Sequence, residues 1–340
     1  MHAQDLFSDE QSLYFPKTRF QGSKRKVLPE IAQALQRNIK GTALDLYSGS
    51  GTVTLLLRQL GYKVIANDYL RFANNTAQLF LSLDAGVLQD VDWSRQLTYL
   101  LDEASLKSEP LIRDNYSGIF FTDDENLQID RFCQNLDSVC RGLEKQILIY
   151  AVGQALLMKR PYNLFHRANL YMRLQDVKRT FGNHITWAKP IKTHALGAIQ
   201  ELRKVPIRHP ASQAHKVTCV NTSNLQQLSC QPDIVYLDPP YIPARTIPVD
   251  YADFYNFLEG LVDYSLFKQP ARDAMHRPIV NLPTRWLDAS AAEKELEEIS
   301  ESWPDATIVM SYRDDGQPSV DRLLKILSTN LRKATVVDTK

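Results

Sequence analysis

The chain has 340 residues, of which 44% are hydrophobic and 23% charged, and its formal net charge is +1. This composition is typical of a globular protein with one large core and argues against a disordered or fibrous chain. No apolar run reaches the roughly 18 to 20 residues of a membrane span and the N-terminus lacks a signal-peptide pattern, so we expect a cytoplasmic protein without a membrane partner. The four cysteines form no C-x-x-C pair, which favours reduced thiols over a metal site.

Short apolar runs bounded by turn residues predict five strands. They are Thr42–Tyr47, Lys63–Asn67, Val217–Val220, Ile234–Leu237 and Ile308–Ser311. Helical periodicity between them predicts Val27–Arg37, Val53–Leu60, Asn126–Leu143 and Ala291–Ser300. Strand followed by helix, repeated, predicts an α/β fold with helices on both faces of one sheet.

The interval from residue 81 to 214 interrupts this alternation with helical patterns and then a basic, proline-punctuated stretch. We therefore predict a mostly helical region inserted between two halves of one core, at residues 12–80 and 215–335. Within the insert, Thr122 or Asp123 ahead of Glu125 is typical of a helix N-cap with an acid in the first turn, which is a structural role.

Positive charge is concentrated in this insert. From Lys159 to Lys216, 12 Lys and Arg residues stand against 2 acidic residues, an excess of +10, and the rest of the chain carries −9. Aromatic residues are interleaved with them, at Phe165, Tyr171, Phe181 and Trp187. A basic segment with interleaved rings predicts a surface that follows nucleic-acid phosphates.

The stretch TALDLYSGSGTVTLLLRQLGYKVIANDY, residues 42–69, has the order of a nucleotide-binding strand, turn, helix and strand. The first strand ends in Asp45, a Gly49-x-Gly51 turn follows, and the second strand ends at Asp68. The Asp68 carboxylate can accept hydrogen bonds from both hydroxyls of a ribose. NAD and S-adenosylmethionine both suit this geometry. Asp45 favours a ligand with an ammonium group, since a carboxylate would repel a pyrophosphate.

The stretch IVYLDPPYIPA, residues 234–244, ends a buried strand with an acid and two prolines. Ligands of open α/β sheets bind beyond the carboxyl ends of the strands, so Asp238 is expected in the same crevice as the cofactor. Pro239 and Pro240 fix the direction of the adjacent carbonyls. A carboxylate and a fixed carbonyl can accept both hydrogens of an exocyclic amine, which frees its lone pair, and Tyr241 offers a ring to an extruded base.

These motifs resemble those of the Dam-like, alpha-group N6-adenine-specific DNA methyltransferases. DPPY at 238–241 is similar to their catalytic motif, LDLYSGSG at 44–51 to their cofactor motif, and RFQGSKRKVLPEI at 19–31 to the segment before it. The motif order is that of the alpha group, and weaker similarity extends over most of residues 17–330. The resemblance implies a Rossmann-like S-adenosylmethionine-dependent core with an inserted, mostly helical, basic DNA-recognition domain.

The resemblance also implies roles for individual residues. An aromatic ring would lie near the adenosine and an ammonium near the cofactor carboxylate, the glycine turn would wall the methionine end, and an acid would bind the ribose. The residues expected to hold the cofactor are Phe20, Lys24, Asp45, Gly49, Gly51, Asp68 and Asp238. The catalytic set would be Asp238, Pro239, Pro240 and Tyr241. The family often has two glycines where this chain has Gly22-Ser23, and often Trp where Phe20 stands.

In the basic segment we expect contacts with duplex DNA from Arg167, Asn169, Lys178, Arg179, Lys189 and Lys192. Asn can pair bidentately with adenine and Arg with guanine, whereas a single Lys more often contacts phosphate. We expect direct in-line methyl transfer after base flipping, without a metal or a covalent enzyme intermediate. We further expect a monomer, with a cognate restriction endonuclease as a candidate partner.

Several alternatives stay open on the sequence. They are N4-cytosine methylation, methylation of RNA or of a protein amino group, a dinucleotide oxidoreductase, and a catalytically inactive DNA-binding relic. The intact Asp-Pro-Pro-Tyr argues against the relic, and the lack of a third motif glycine argues against NAD.

Overall fold

The protein is described by a computed structural model that covers residues 13–35, 41–165, 172–174, 183–209, 214–243, 248, 250–328 and 333–337. Within these residues the strands are β1 Thr42–Asp45, β2 Lys63–Asn67, β3 Lys216–Thr218, β4 Ile234–Leu237, β5 Ile242–Pro243, β6 Thr307–Met310 and β7 Gly316–Gln317. Five of them form a parallel sheet in the order β3-β2-β1-β4-β6, while β5 and β7 pair antiparallel. The predicted α/β class is confirmed, and each predicted strand is present with its ends displaced by at most two residues.

The α-helices of the described chain are α1 Leu28–Leu35, α2 Thr52–Gln59, α3 Arg71–Ser82, α4 Ala85–Asp90, α5 Trp93–Thr98, α6 Leu111–Tyr116, α7 Asp123–Val139, α8 Gly142–Met158, α9 Asn183–Ala188, α10 Ile191–Arg203, α11 Tyr251–Val262, α12 Ala289–Ser302 and α13 Val320–Leu327. A 3₁₀ turn, Lys24–Val27, leads into α1. None of these helices is long and apolar enough to cross a membrane.

The helix predicted over Asn126–Leu143 is wrong at its C-terminal end. Helix α7 stops at Val139, and α8 begins at Gly142, whose φ of 54° is left-handed. Apolar spacing continues across this break, so periodicity alone could not detect it, whereas the left-handed backbone requires a residue such as glycine. At the other end, Thr122, one of the two N-cap candidates, forms a capping box with Glu125, and the helix begins at Asp123, three residues before the predicted start.

The sheet separates two apolar cores because successive side chains of a strand point to opposite faces. Ala43, Val64 and Ile234 pack with α1, α2, α3, α8, α10 and α11. Leu44, Ile65 and Val235 pack on the other face with α12 and α13. Helix α8 is buried on all sides from Ile147 through Leu157. The helices of the 81–214 interval thus share the core of the sheet, and its separation as an inserted region stays a prediction.

Candidate active site

The candidate site lies at the carboxyl ends of the central strands. Strand β1 pairs with β4 so that Asp45 lies opposite Tyr236, which brings the turn after β1 beside Asp238. A cavity with about 670 Å³ of empty space, part of it open to solvent, occupies this end of the sheet. Its lining includes eight of the residues expected from sequence: Phe20, Lys24, Asp45, Gly49, Asp68, Asp238, Pro239 and Pro240. Gly51 and Tyr241 are not part of that lining.

Asp45 is a buried carboxylate with one oxygen engaged. Its Oδ2 accepts a hydrogen bond of 2.6 Å from the Thr54 hydroxyl, while Oδ1 is buried without a partner among the described residues. Burial raises the pKa of Asp45 to about 7, and the nearby carboxylates of Asp238 and Asp68 add to this effect. An acceptor that is both buried and unpartnered fits a ligand that brings a donor, such as an ammonium group.

Asp68 organises the glycine turn from the end of the neighbouring strand. Its Oδ2 accepts from the Gly49 amide at 2.8 Å and its Oδ1 from the Leu70 amide at 2.9 Å. Burial raises the pKa of Asp68 to about 6, although these amides oppose the rise. The acid is therefore held by backbone amides on both oxygens, and it still lines the cavity.

Gly51 has a structural role in the turn. It is the N-cap of α2 with a left-handed φ of 70°. A Cβ there would lie 2.7 Å from the Phe80 ring, which is closer than real contacts allow. Gly49, by contrast, has a φ of 45° and lines the cavity, so the two glycines of the motif do different things.

Phe20 forms an aromatic wall of the cavity. Its ring stacks on Tyr255, with centroids 3.9 Å apart, and lies parallel to Phe72 at 6.0 Å. Tyr255 is itself fixed, because its hydroxyl accepts from the Gln21 amide at 2.7 Å. The ring is thus held by packing at a position where it can contact a flat ligand group.

Asp238 sits in a cluster of three groups. The Lys24 ammonium lies 2.7 Å from its Oδ2, and the Tyr241 hydroxyl donates to its Oδ1 at 2.7 Å. Burial raises the pKa of Asp238, while Lys24 and the hydroxyl lower it in part. The Tyr241 ring meets the Tyr312 ring edge-on at 5.6 Å, and so it is supported by the segment after β6.

Other cavity residues were not singled out from the sequence. They are Gln21, Gly22, Tyr47, Ser48, Ser50, Thr52, Val53, Tyr69, Leu70, Tyr236 and Tyr251. The buried Ser48 hydroxyl has no partner among the described residues, like Asp45 Oδ1. Most of these residues flank the two motifs, and their position beside the motifs was the available signal. Tyr251 lies in a separate helix, so only the folded chain brings it to the cavity.

Only part of the basic segment, residues 159–216, is exposed to solvent. Lys189 is exposed and Lys192 half-buried, with its ammonium donating to the Thr98 hydroxyl at 3.0 Å. Lys159, Arg160, Phe165 and Trp187 are buried, and the Phe165 ring stacks on Phe257 of α11. The expected interleaving of exposed rings is therefore wrong for these two aromatics. The remaining predicted residues, Arg167, Asn169, Tyr171, Lys178, Arg179 and Phe181, lie outside the described residues.

A buried charge cluster joins the basic segment to the scaffold. Glu125 lies 2.9 Å from the Lys159 ammonium and 2.5 Å from the Arg173 guanidinium. Lys159 also donates to the Trp187 carbonyl at 2.6 Å. Burial alone would raise the pKa of Glu125, but the two cations lower it overall. One carboxylate thus connects α7, α8 and a described piece of the basic segment.

An exposed tyrosine stands at the start of that segment. Tyr162 is 69% exposed, and it and Asn163 have left-handed backbone, with φ of 56° and 58°. The base of this turn is buried: the Arg160 guanidinium donates to the Leu164 carbonyl at 3.2 Å and packs on the Phe120 ring. The ring is therefore presented to solvent by a rigid base.

The parallel sheet, the acid-lined cavity and the Asp-Pro-Pro-Tyr turn at its edge define an α/β methyltransferase core. The family of D12 class N6 adenine-specific DNA methyltransferases matches residues 20–257, and the chain belongs to this family. It is accordingly an adenine-specific DNA methyltransferase by class.

Three relatives show how far the similarity extends. The chain is 24% identical to the type II methyltransferase M2.HphI of Haemophilus parahaemolyticus, an alignment that covers 96% of this chain and 91% of that protein. It is 24% identical to the type II methyltransferase M.FokI of Planomicrobium okeanokoites, over 90% of this chain and 46% of that protein. It is 25% identical to the modification methylase StsI of Streptococcus sanguinis, over 91% of this chain and 46% of that protein. The chain spans about half the length of the last two, and no solved structure matches it.

Proposed function

We propose that this protein transfers a methyl group from S-adenosylmethionine to the N6 amine of adenine at a specific site in duplex DNA. The observation that carries the proposal is the position of Asp238, whose carboxylate and following prolines line the same cavity as Asp45. One cavity then holds an acceptor for the target amine and a buried acceptor for the ammonium group of the methyl donor.

The residues present fit S-adenosylmethionine. The unpartnered Asp45 Oδ1 would accept from its ammonium group, Asp68 would bind the ribose, and the Phe20 ring would contact the adenine. Lys24 would reach the carboxylate group only by leaving Asp238, to which it is now paired. When bound, S-adenosylmethionine supplies a methyl group on a sulfonium sulfur, which is a strong electrophile.

The chain's part in the chemistry is to prepare the amine. Asp238 and a proline-fixed carbonyl accept the two N6 hydrogens, which draws the nitrogen toward tetrahedral geometry and frees its lone pair. Tyr241 and its edge contact with Tyr312 give the extruded base a wall to stack on. The nitrogen would accept the methyl group that bound S-adenosylmethionine supplies, with S-adenosylhomocysteine as the leaving group, and Asp238 would pass the surplus N6 proton to solvent.

The DNA would lie over the basic segment. Lys189 is exposed there, and the rigidly based Tyr162 ring stands at its beginning, where it can enter the base stack. Arg167, Asn169, Lys178 and Arg179 are proposed for contacts with bases and phosphates, together with Lys192. These roles rest on charge and residue type.

We further propose that the protein is a monomer of the Dam-like alpha group that acts in the cytoplasm, within a restriction-modification system. The order of cofactor motif, basic segment and DPPY supports the group, and the names of the type II relatives support the system. A restriction endonuclease that recognises the same DNA site would be its partner.

The test is to incubate the purified protein with duplex DNA and methyl-labelled S-adenosylmethionine and to identify the labelled nucleoside. We expect N6-methyladenine, with D238A reducing label transfer at least about 100-fold and the exposed-site variant D305N transferring label like the wild type.

Each alternative gives a different result in the same experiment. N4-methylcytosine as the product would contradict the adenine assignment, and preference for structured RNA over duplex DNA as competitor would contradict the substrate. Calorimetry that detects binding of NAD and not of S-adenosylmethionine would contradict the cofactor. A wild type that binds DNA without transferring label would indicate the catalytically inactive relic.

A further inference from the structure

Tyr47 is a wall of the cavity whose hydroxyl is anchored elsewhere. It follows β1 and directly precedes the glycine turn, and it lines the cavity beside Asp45 and Ser48. Its hydroxyl donates at 2.5 Å to Glu295, a residue of α12 that is not part of the lining. A side chain that lines the cavity is therefore held by the core that α12 and α13 form on one face of the sheet.

Glu295 is a buried carboxylate on which three donors converge. In addition to Tyr47, its Oε1 accepts from the Thr222 hydroxyl at 2.6 Å and the Trp286 indole at 2.9 Å. Its other oxygen lies 4.0 Å from the Arg285 guanidinium. Glu295 is 1% exposed, so its charge depends on these donors for compensation.

The Tyr47 ring is restrained in a second way. The Trp286 ring meets it nearly perpendicularly, with centroids 6.3 Å apart and an interplanar angle of 86°. The Trp286 indole also lies 3.2 Å from the Tyr47 hydroxyl. The hydrogen bonds of the Tyr47 hydroxyl and the perpendicular contact with the Trp286 ring leave the Tyr47 ring little freedom to turn into or away from the cavity.

We propose that Glu295 is a positioning residue of the methyl-donor site, which fixes the Tyr47 ring as the wall next to the glycine turn. The proposal rests on the proposed function, because it takes the cavity to be the site of S-adenosylmethionine. Glu295 and Trp286 lie beyond residue 257, where the match to the family ends. The C-terminal part of the chain thereby contributes to cofactor binding as well as to the fold.

The experiment compares three conservative variants by calorimetry with S-adenosylmethionine and by steady-state kinetics. Y47F removes the anchoring hydroxyl, and we expect Kd and KM for S-adenosylmethionine to rise about fivefold while kcat and the Kd for DNA stay within about twofold. E295Q keeps an acceptor oxygen and should raise the same constants only about twofold. R285Q is the matched control: it removes the cation that lies 4.0 Å from the other Glu295 oxygen, at a residue outside the cavity lining.

A purely structural network predicts a different pattern. Equal increases of the cofactor constants in R285Q and Y47F would overturn the positioning role, and so would an unchanged Kd in Y47F. In both outcomes the wild-type protein still binds S-adenosylmethionine and methylates DNA. They can therefore be distinguished from failure of the proposed function. If the wild type itself binds no S-adenosylmethionine, both proposals are overturned. Thermal unfolding of each variant records any loss of the fold.

Discussion

Lys24 and Asp238 form an ion pair at the centre of the site, with Nζ and Oδ2 2.7 Å apart. The same ammonium donates to the Gly22 carbonyl at 2.8 Å and lies 5.1 Å from the centre of the Tyr241 ring. Lys24 thus holds the carboxylate that the target amine is proposed to reach, whereas the sequence suggested a place beside the cofactor carboxylate. An incoming amine would have to replace this ammonium at Asp238.

Replacing Lys24 should change the pH dependence of catalysis. Burial raises the pKa of Asp238 and Lys24 opposes the rise, so K24M should raise this pKa further. Because the ionised form accepts from the amine, the acidic limb of the profile of kcat against pH should move to higher pH, with a greater loss of activity at pH 6 than at pH 8.5. K26M, at an exposed lysine of the same turn, is the control and should leave the limb in place. An identical limb in K24M would mean that the pair does not tune Asp238.

Cofactor affinity should depend on the ionisation of Asp45. Burial raises its pKa to about 7, so below this pH the protonated acid cannot pair with an ammonium group. We expect the Kd for S-adenosylmethionine, measured by calorimetry, to rise roughly tenfold per pH unit as the pH falls below 7. D45N should bind weakly with a flatter dependence. Equal slopes in the two proteins would contradict the assignment.

The same group affects stability with the opposite sign. The folded state keeps the proton of Asp45 up to about pH 7, while the unfolded chain releases it near its ordinary value of 3.8. Its contribution is therefore fully present below the unfolded pKa and is lost as the pH rises through 7. Without ligand, the difference in melting temperature between D45N and wild type should shift in favour of D45N from pH 5 to pH 8.

Neutralising Glu125 should destabilise the fold. In E125Q, Lys159 and Arg173 would remain buried without a countercharge, and we expect a loss of about 3 kcal/mol in the free energy of unfolding by urea. Because the pKa of Glu125 is lowered, its contribution is present above its ordinary value of 4.5 and is lost as the pH falls through the folded pKa. D124N, in the same first turn but exposed, should cost less than about 0.5 kcal/mol. A similar loss of unfolding free energy in E125Q and D124N would show that the Glu125 cluster does not stabilise the fold more than an exposed carboxylate does.

Removing the Tyr162 ring should affect DNA and not the cofactor. Stacking of a base on an aromatic side chain is worth about 1 to 3 kcal/mol, so Y162A should lower kcat/KM for duplex DNA about tenfold. The fluorescence of 2-aminopurine at the target position, which reports extrusion of the base, should fall with it. The Kd for S-adenosylmethionine should be unchanged. Y99A, at another exposed tyrosine, is the control, and a loss of the same size there would remove the case for Tyr162.

The order of the sequence motifs was enough to predict the α/β fold class and most of the residues at the carboxyl ends of the central strands. In the sequence, a buried parallel strand is a short run of apolar residues. The residues that end such strands lie at the ligand-binding edge of the sheet, so the positions of Asp45, Asp68 and Asp238 could be predicted from the sequence. The helix break at Gly142 could not be located, because the apolar spacing of α7 and α8 runs through it.

Charge along the chain was a weaker guide than motif order. The sequence shows an excess of basic residues after Lys159, but only packing decides that Lys159 and Arg160 turn inward and that Lys189 stays exposed. A carboxylate distant in sequence, such as Glu125, can draw a cation into the core, and no local pattern records this pairing.

The amino-acid sequence by itself determined the sheet, the glycine turn after β1 and the DPPY stretch, since these depend on neighbouring residues and on the fixed polarity of parallel strands. Tertiary structure alone decided that Lys24 pairs with Asp238, that Tyr251 joins the cavity, and that Glu295 anchors Tyr47. The pairs Lys24–Asp238 and Tyr47–Glu295 each join segments more than 200 residues apart. Tyr251 reaches the cavity from α11, and all three placements depend on how the helices and loops close over the sheet.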